Sequence, residues 1–393
     1  DTINGGDGNE ALTGGDGNDA VDGNRGNDTG LLGAGDDSFR WDPGDGSDVV
    51  EGQDDVDTLL FIGAGVAENF DLSGNGERVT FFRTQGAITM DLNDTELIDV
   101  QALDGSDSVV FNNTTGTGLK SVALDLEAAI SGGAGDGAAD SITVNGTNDA
   151  DDIQIDADGN AVDVFGAAVA IRIDHSEAAN DNLTINGLGG ADTITAGRGL
   201  AALIQLVING GTEVDVLTGG DGNDRIAGQQ QADSMFGGAG DDTLVWDPGD
   251  GNDLLEGQAG NDTMEFNGAA GNEIFVVTAV GSRVEFLRNL GNIDMDLDDV
   301  ERVDLDALGG IDATTVNDLS GTDMEDVDVD LEGVIGGGVA DGAADTVTVN
   351  GTDGVDIIDV AAVAGETQLT GLAAAVRIAH ADPALDQLIV NTL

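Results

Sequence analysis

A period of nine residues restricts this chain more than any other feature. Six nonapeptides run through residues 5–13, 14–22, 23–31, 32–40, 43–51 and 52–60, with Trp41-Asp42 inserted before the fifth. Their sixth positions are Glu10, Asp19, Asp28, Asp37, Asp48 and Asp57, and their eighth are Leu12, Val21, Gly30, Phe39, Val50 and Leu59. Glycine permits the left-handed backbone of a tight loop and leaves carbonyls open to an ion. The acid adds a hard oxygen ligand, and the single aliphatic faces inward from a very short strand. Stacked turns of this kind bury a column of aliphatics. They also build a column of carboxylates along each edge, which repel one another unless cations lie between them.

The same scheme returns 205 residues later. Trp41-Asp42-Pro43-Gly44-Asp45-Gly46 recurs as Trp246-Asp247-Pro248-Gly249-Asp250-Gly251, and the two histidines, His175 and His380, share the offset. The register holds without a gap from residues 12–188 to 217–393, which makes the sequence a tandem duplication of one large unit. Its second set of sixth positions is Asp215, Asp224, Asp233, Asp242, Asp253 and Asp262. Four blocks follow: regular nonapeptides at 1–61 and 210–266, and less regular segments at 62–209 and 267–393. Pattern continues at both termini, so the chain reads as a window on a longer array.

Charge narrows the partners. With 12 basic and 77 acidic side chains the net charge is −65, which repels nucleic-acid phosphates and anionic lipid and leaves cations as the natural ligand. There is no cysteine, so neither disulfides nor thiolate metal sites are available. Apolar residues make up 40% of the chain, too many for an acidic disordered tail, yet no run is long enough to cross a bilayer.

The segment Gly14-Gly15-Asp16-Gly17-Asn18-Asp19-Ala20-Val21-Asp22, matched at 219–227, resembles the calcium-binding repeat of the RTX (repeats-in-toxin) family. The resemblance implies an all-β fold, a parallel β-roll or β-solenoid with two nonapeptides per coil. It also implies Ca²⁺ between successive loops, held by carbonyls and the sixth-position aspartates, and type I export from a Gram-negative bacterium. Loop acids Asp16, Asp45, Asp221 and Asp250 join the sixth-position set as candidate ligands. Glu10, the core gap at Gly30, and Gln229-Gln230-Gln231 depart from the motif, and weaker sites are expected there.

The less regular segments keep β-like alternation. Residues 78–83 and 87–92 around Thr84-Gln85-Gly86 predict a hairpin, repeated at 283–297, whose Arg78, Arg83, Arg283 and Arg288 should pair with neighbouring acids. Short alternating runs at 122–126, 141–144, 153–155, 162–164, 169–173 and 183–185 predict a continuing solenoid, with further candidate ligands at Asp107, Asp140, Asp192 and Asp345. Residues 200–206 are the best helix candidate. Trp41 and Trp246 suit packing better than sugar stacking, and the histidines a surface or packing role. No nucleophile constellation is recognisable, so no enzyme is expected. The expected function is that of an extracellular, calcium-dependent structural protein of a bacterial surface or matrix. It would fold on binding Ca²⁺ and self-associate head to tail or laterally, without nucleic acid or a transmembrane segment. The alternatives are the repeat region of an exported enzyme or toxin, or a glycan-binding adhesin stalk.

Overall fold

A computed structural model describes residues 1–392, which fall into two compact units, residues 1–207 and 208–392. In the first unit the nonapeptides become strands β1 (Thr2–Asp7), β2 (Ala11–Asp16), β3 (Ala20–Arg25), β4 (Thr29–Ala34), β5 (Ser38–Trp41), β6 (Val49–Asp54) and β7 (Thr58–Ile62). They pair in parallel with the next strand but one: Thr2 opposes Ala20 and Ala11 opposes Thr29, so a coil is 18 residues. Where Trp41-Asp42 is inserted, Thr29 opposes Val49 and Ser38 opposes Thr58, and the coil grows to 20. The chain is therefore all-β, a parallel solenoid of two facing sheets per unit.

The core is the thin layer between those sheets. Eighth-position Val21, Phe39, Val50 and Leu59 are buried. Gly30 leaves no void, because a Cβ there would lie 2.8 Å from the Phe39 ring, which already occupies the space. Trp41 stacks on Phe61 at 4.1 Å and donates Nε1–H to Gly46 O at 2.8 Å. Trp246 repeats this with Phe266 and Gly251. Both indoles are fully buried, so neither offers a face to a sugar.

The predicted hairpin forms, and it is one half of a three-stranded meander. Strand β8 (Asn69–Asn75) pairs antiparallel with β9 (Arg78–Arg83), which pairs antiparallel with β10 (Ile88–Asn93). The outer strands rejoin the parallel sheet, β10 against β6 and β8 against Ser108–Phe111. In the second unit Ile274–Val280, Arg283–Arg288 and Ile293–Asp298 do the same. A second meander follows at Asp152–Asp158, Ala161–Phe165 and Ala170–Asp174.

The runs near 122, 141 and 183 are parallel strands of continuing coils. Residues 200–206 are not an α-helix. Leu200–Ala202 makes one 3₁₀ turn and strand pairing resumes at Gln205, because Leu200 and Leu206 are both held in the core. Among the described residues no helix is long and apolar enough to cross a membrane.

Candidate metal centres

Each sixth-position acid sits where a loop enters a strand, and its carboxylate caps the turn one coil before it. The amide of Asp19 donates to Asp37 Oδ1 at 2.7 Å, that of Asp37 to Asp57 Oδ1 at 3.0 Å, and that of Asp57 to Glu96 Oε2 at 3.0 Å. On the other edge Glu10 leads to Asp28 and Asp28 to Asp48. The second unit has the same ladders, Asp224 to Asp242 to Asp262 to Glu301 and Asp215 to Asp233 to Asp253. The amide of Asp253 then meets Met295 Sδ at 3.5 Å, and that ladder stops.

These bonds engage only one oxygen of each carboxylate. The other, Oδ2, is buried without a hydrogen-bond partner in Asp19, Asp28, Asp37, Asp57, Asp107, Asp224, Asp233, Asp242, Asp253, Asp262, Asp312 and Asp345, as is Oε2 of Glu10. Native interiors rarely tolerate such atoms, and a bare buried carboxylate is among the costliest groups to desolvate. Loop carbonyls converge on the same spots. A Cβ on Gly14 would lie 2.2 Å from Leu32 O and 2.7 Å from Asp19 Oδ2; on Gly219, 2.5 Å from Gly237 O and 2.6 Å from Asp224 Oδ2. Only glycine admits both oxygens. Carboxylate and carbonyl oxygens without nitrogen or sulfur are the donor set of a hard cation, and an irregular carbonyl-rich shell suits Ca²⁺ better than Mg²⁺.

Electrostatics agrees. Burial pushes Asp48, Asp57 and Asp107 up to about 7, against the capping hydrogen bond, with neighbouring carboxylates adding to the rise. Asp242 and Asp253 are likewise held at about 7, and burial takes Asp224 and Asp233 to about 8. Asp345 is pushed up to about 6 and Asp140 to about 7. Interiors that penalise negative charge this strongly favour a bound positive ion.

The other candidates are placed differently. Asp16 is exposed and Asp221 half-buried. Asp45 and Asp250 each spend one oxygen on the backbone amide three residues earlier, closing the Asp-Pro-Gly-Asp turn. Asp192 and Asp215 are buried in the same setting as the other sixth-position acids. Gln229 and Gln231 adopt the positive φ expected of loop glycines, 69° and 81°, and Asp233 keeps its place despite them.

The nonapeptide reading passed over Glu68, Glu96, Asp181, Glu273, Glu301 and Asp386, all of which take part in the ladders. Glu68 and Glu273 end degenerate turns at 63–71 and 268–276 and are fully buried with Arg83 and Arg288. A signal was present. An acid two residues ahead of an apolar residue, as in Glu68-Asn69-Phe70 or Asp181-Asn182-Leu183, marks each of these turns even where the loop glycines are gone.

His175 pairs through Nδ1 with Asp125 Oδ1 at 2.6 Å, and His380 with Asp330 at 2.7 Å. Glu127 and Glu332 complete each group, with ligand atoms within 4.8 Å of one another. Both glutamates already accept loop amides, Glu127 that of Gly133 at 2.8 Å and Glu332 that of Gly338 at 2.6 Å, so each cluster anchors its loop.

A sequence model of the RTX calcium-binding nonapeptide repeat matches the chain four times, at residues 1–39, 184–199, 209–244 and 249–275. The second match covers Asp192, beyond the regular blocks. No curated protein matches the chain.

Proposed function

We propose, on the premise that the chain is an RTX-type calcium-binding repeat protein, that it is a calcium-ordered structural element of a bacterial cell surface or extracellular matrix. The row of buried carboxylate oxygens without a donor carries this reading. Without Ca²⁺ those charges repel within a thin core that has little apolar area with which to offset the entropy of ordering. With Ca²⁺ each site adds RT ln(1 + [L]/Kd), about 1.4 kcal/mol where free ion is tenfold above Kd, and a dozen sites make the sum decisive.

In this reading the sixth-position aspartates are the ligands, joined by Asp107, Asp140, Asp192 and Asp345. Self-association belongs to the same proposal. A solenoid end presents unpaired strand edges, which invite pairing with another copy of the chain.

Far-UV circular dichroism during a Ca²⁺ titration from EDTA tests the folding step, with Mg²⁺ as the control ion. The β-signal is expected to rise steeply with Ca²⁺ and weakly with Mg²⁺. A full β-signal in EDTA, unchanged by Ca²⁺, refutes the proposal. Light scattering over the same titration tests association.

A further inference from the structure

Among the described residues, Glu68 and Glu273 are buried acids whose positive charge is supplied by an arginine of the chain itself. Glu68 stands at a sixth position beside its loop glycine: a Cβ on Gly63 would lie 2.6 Å from Glu68 Oε2 and 2.6 Å from Ala102 O, as one on Gly52 would meet Asp57 Oδ2 and Asp94 O. Its amide donates to Asp107 Oδ1 at 2.7 Å, the same rung as at the aspartate turns. Yet neither carboxylate oxygen of Glu68 is orphaned. Oε2 accepts the Ala64 amide at 2.6 Å, and Oε1 accepts the guanidinium of Arg83.

Arg83 is brought there by the meander, at the end of β9. It is 7% exposed, donates to Gln85 O at 3.1 Å, and lies 5.3 Å above the Trp41 ring. Trp41, Phe61, Phe70 and Phe81 pack against one another beneath it. The second unit repeats each part: Glu273 caps with Asp312 at 2.8 Å, takes Ala269 N–H at 2.6 Å and pairs with Arg288, which lies 5.0 Å above Trp246.

We infer that Arg83 and Arg288 hold, at Glu68 and Glu273, the place a calcium ion holds at the aspartate turns, so that one coil in each unit closes without metal. The inference rests on the calcium reading of the other turns. A guanidinium offers a carboxylate a fixed fork of donors and remains charged at any working pH. Unlike an ion it does not leave when free Ca²⁺ falls. The longer glutamate side chain at these two turns fits a cation tethered to a neighbouring strand. The calcium-free protein is then not uniformly disordered: it keeps two aromatic kernels from which the coils on either side can be rebuilt when Ca²⁺ returns.

The composition supplies a specific probe, since Trp41 and Trp246 are the chain's only tryptophans and it has no tyrosine. The full chain is titrated from EDTA with Ca²⁺, following far-UV dichroism and tryptophan emission together. The expected result is a β-signal that depends on Ca²⁺ while the emission stays blue, and near-UV dichroism persists, in EDTA. An emission that shifts red in EDTA, with the same Ca²⁺ midpoint as the β-signal, overturns the inference while leaving the calcium reading intact. A β-signal indifferent to Ca²⁺ is the separate failure of that reading, and overturns both. In Arg83→Met/Arg288→Met the emission should become calcium-dependent; emission that stays blue in EDTA without the arginines also overturns the inference. Should that variant not fold even with Ca²⁺, the wild-type comparison decides.

Discussion

Asp242→Asn should change stability in opposite directions with and without Ca²⁺. The Asp242 side chain is 1% exposed, accepts the Asp224 amide at 2.8 Å through Oδ1, and buries Oδ2 without a partner. A carboxylate held at about 7 instead of its ordinary 3.8 carries roughly 4 kcal/mol of unfavourable charge burial at pH 8. Part of that belongs to its neighbours Asp262 and Asp241, so about 2–4 kcal/mol is the range for this site alone. Asparagine keeps the Oδ1 rung and removes the charge. It also sets an N–H near the Gly257 carbonyl, which lies 2.8 Å from the point where a Gly237 Cβ would stand, itself 2.4 Å from Oδ2.

The variant should therefore gain about 2–4 kcal/mol in EDTA at pH 8 and lose about 1–2 kcal/mol in saturating Ca²⁺, where one anionic ligand is missing. Folding driven by trimethylamine N-oxide in EDTA, and urea unfolding in 5 mM Ca²⁺ (about that concentration suffices to fill sites of the weaker, extracellular class), give the two free energies. A substitution that destabilises equally in both media would mean an ordinary hydrogen-bonding aspartate with no ion beside it, and would refute the reasoning.

Further outcomes follow from the same geometry. Gly219→Ala places a methyl 2.5 Å from Gly237 O and 2.6 Å from Asp224 Oδ2, and should abolish one bound ion with a loss of about 2 kcal/mol or more in Ca²⁺, read by calorimetric stoichiometry and urea midpoint. Without metal, the raised pKa values of Asp48, Asp107 and Asp233 favour the protonated fold. Its stability is full below about pH 4 and declines as pH rises through 7 to 8, so β-signal in EDTA should be greater at pH 5 than at pH 8. The opposite trend would show that these carboxylates are not charge-strained. Phe39→Ala empties the space that Phe39 fills opposite Gly30 and should cost about 3–5 kcal/mol in Ca²⁺, and a loss under 1 kcal/mol would contradict the packing described.

Much of this architecture was legible because nine residues is one half-coil. Gly14 and Asp19 are five apart in sequence and touching in space, and that spacing recurs wherever the loop is regular. Legibility fails where insertions change the coil length. Thr58 opposes Leu97 and Val49 opposes Asp91, 39 and 42 residues on, because the meander lies between them, and no fixed period spans such a jump. The hairpin β9–β10 was readable from local alternation, but the antiparallel pairing of β8 was not, since its partner is chosen by the sheet it rejoins. Residues 200–206 read as helical from composition, and burial on both sides of Leu203 decided for a turn and a strand. The pairing of Arg83 with an acid was expected from charge balance alone. That the acid would be a buried member of the ligand column needed the structure.

Every rung of the ladders points the same way along the chain: the amide belongs to the earlier coil and the carboxylate to the later one, as from Asp19 to Asp37 and from Asp312 to Asp345. A stack built this way has unlike ends. Cut after any coil, the face toward the C-terminus presents amides with nothing to accept them, and the face toward the N-terminus presents carboxylates with a lone pair to spare. The two faces are donor and acceptor of one joint, so copies meeting at their cut faces can join in one polarity only. A lattice grown from them would be a directed one, with a leading and a trailing edge.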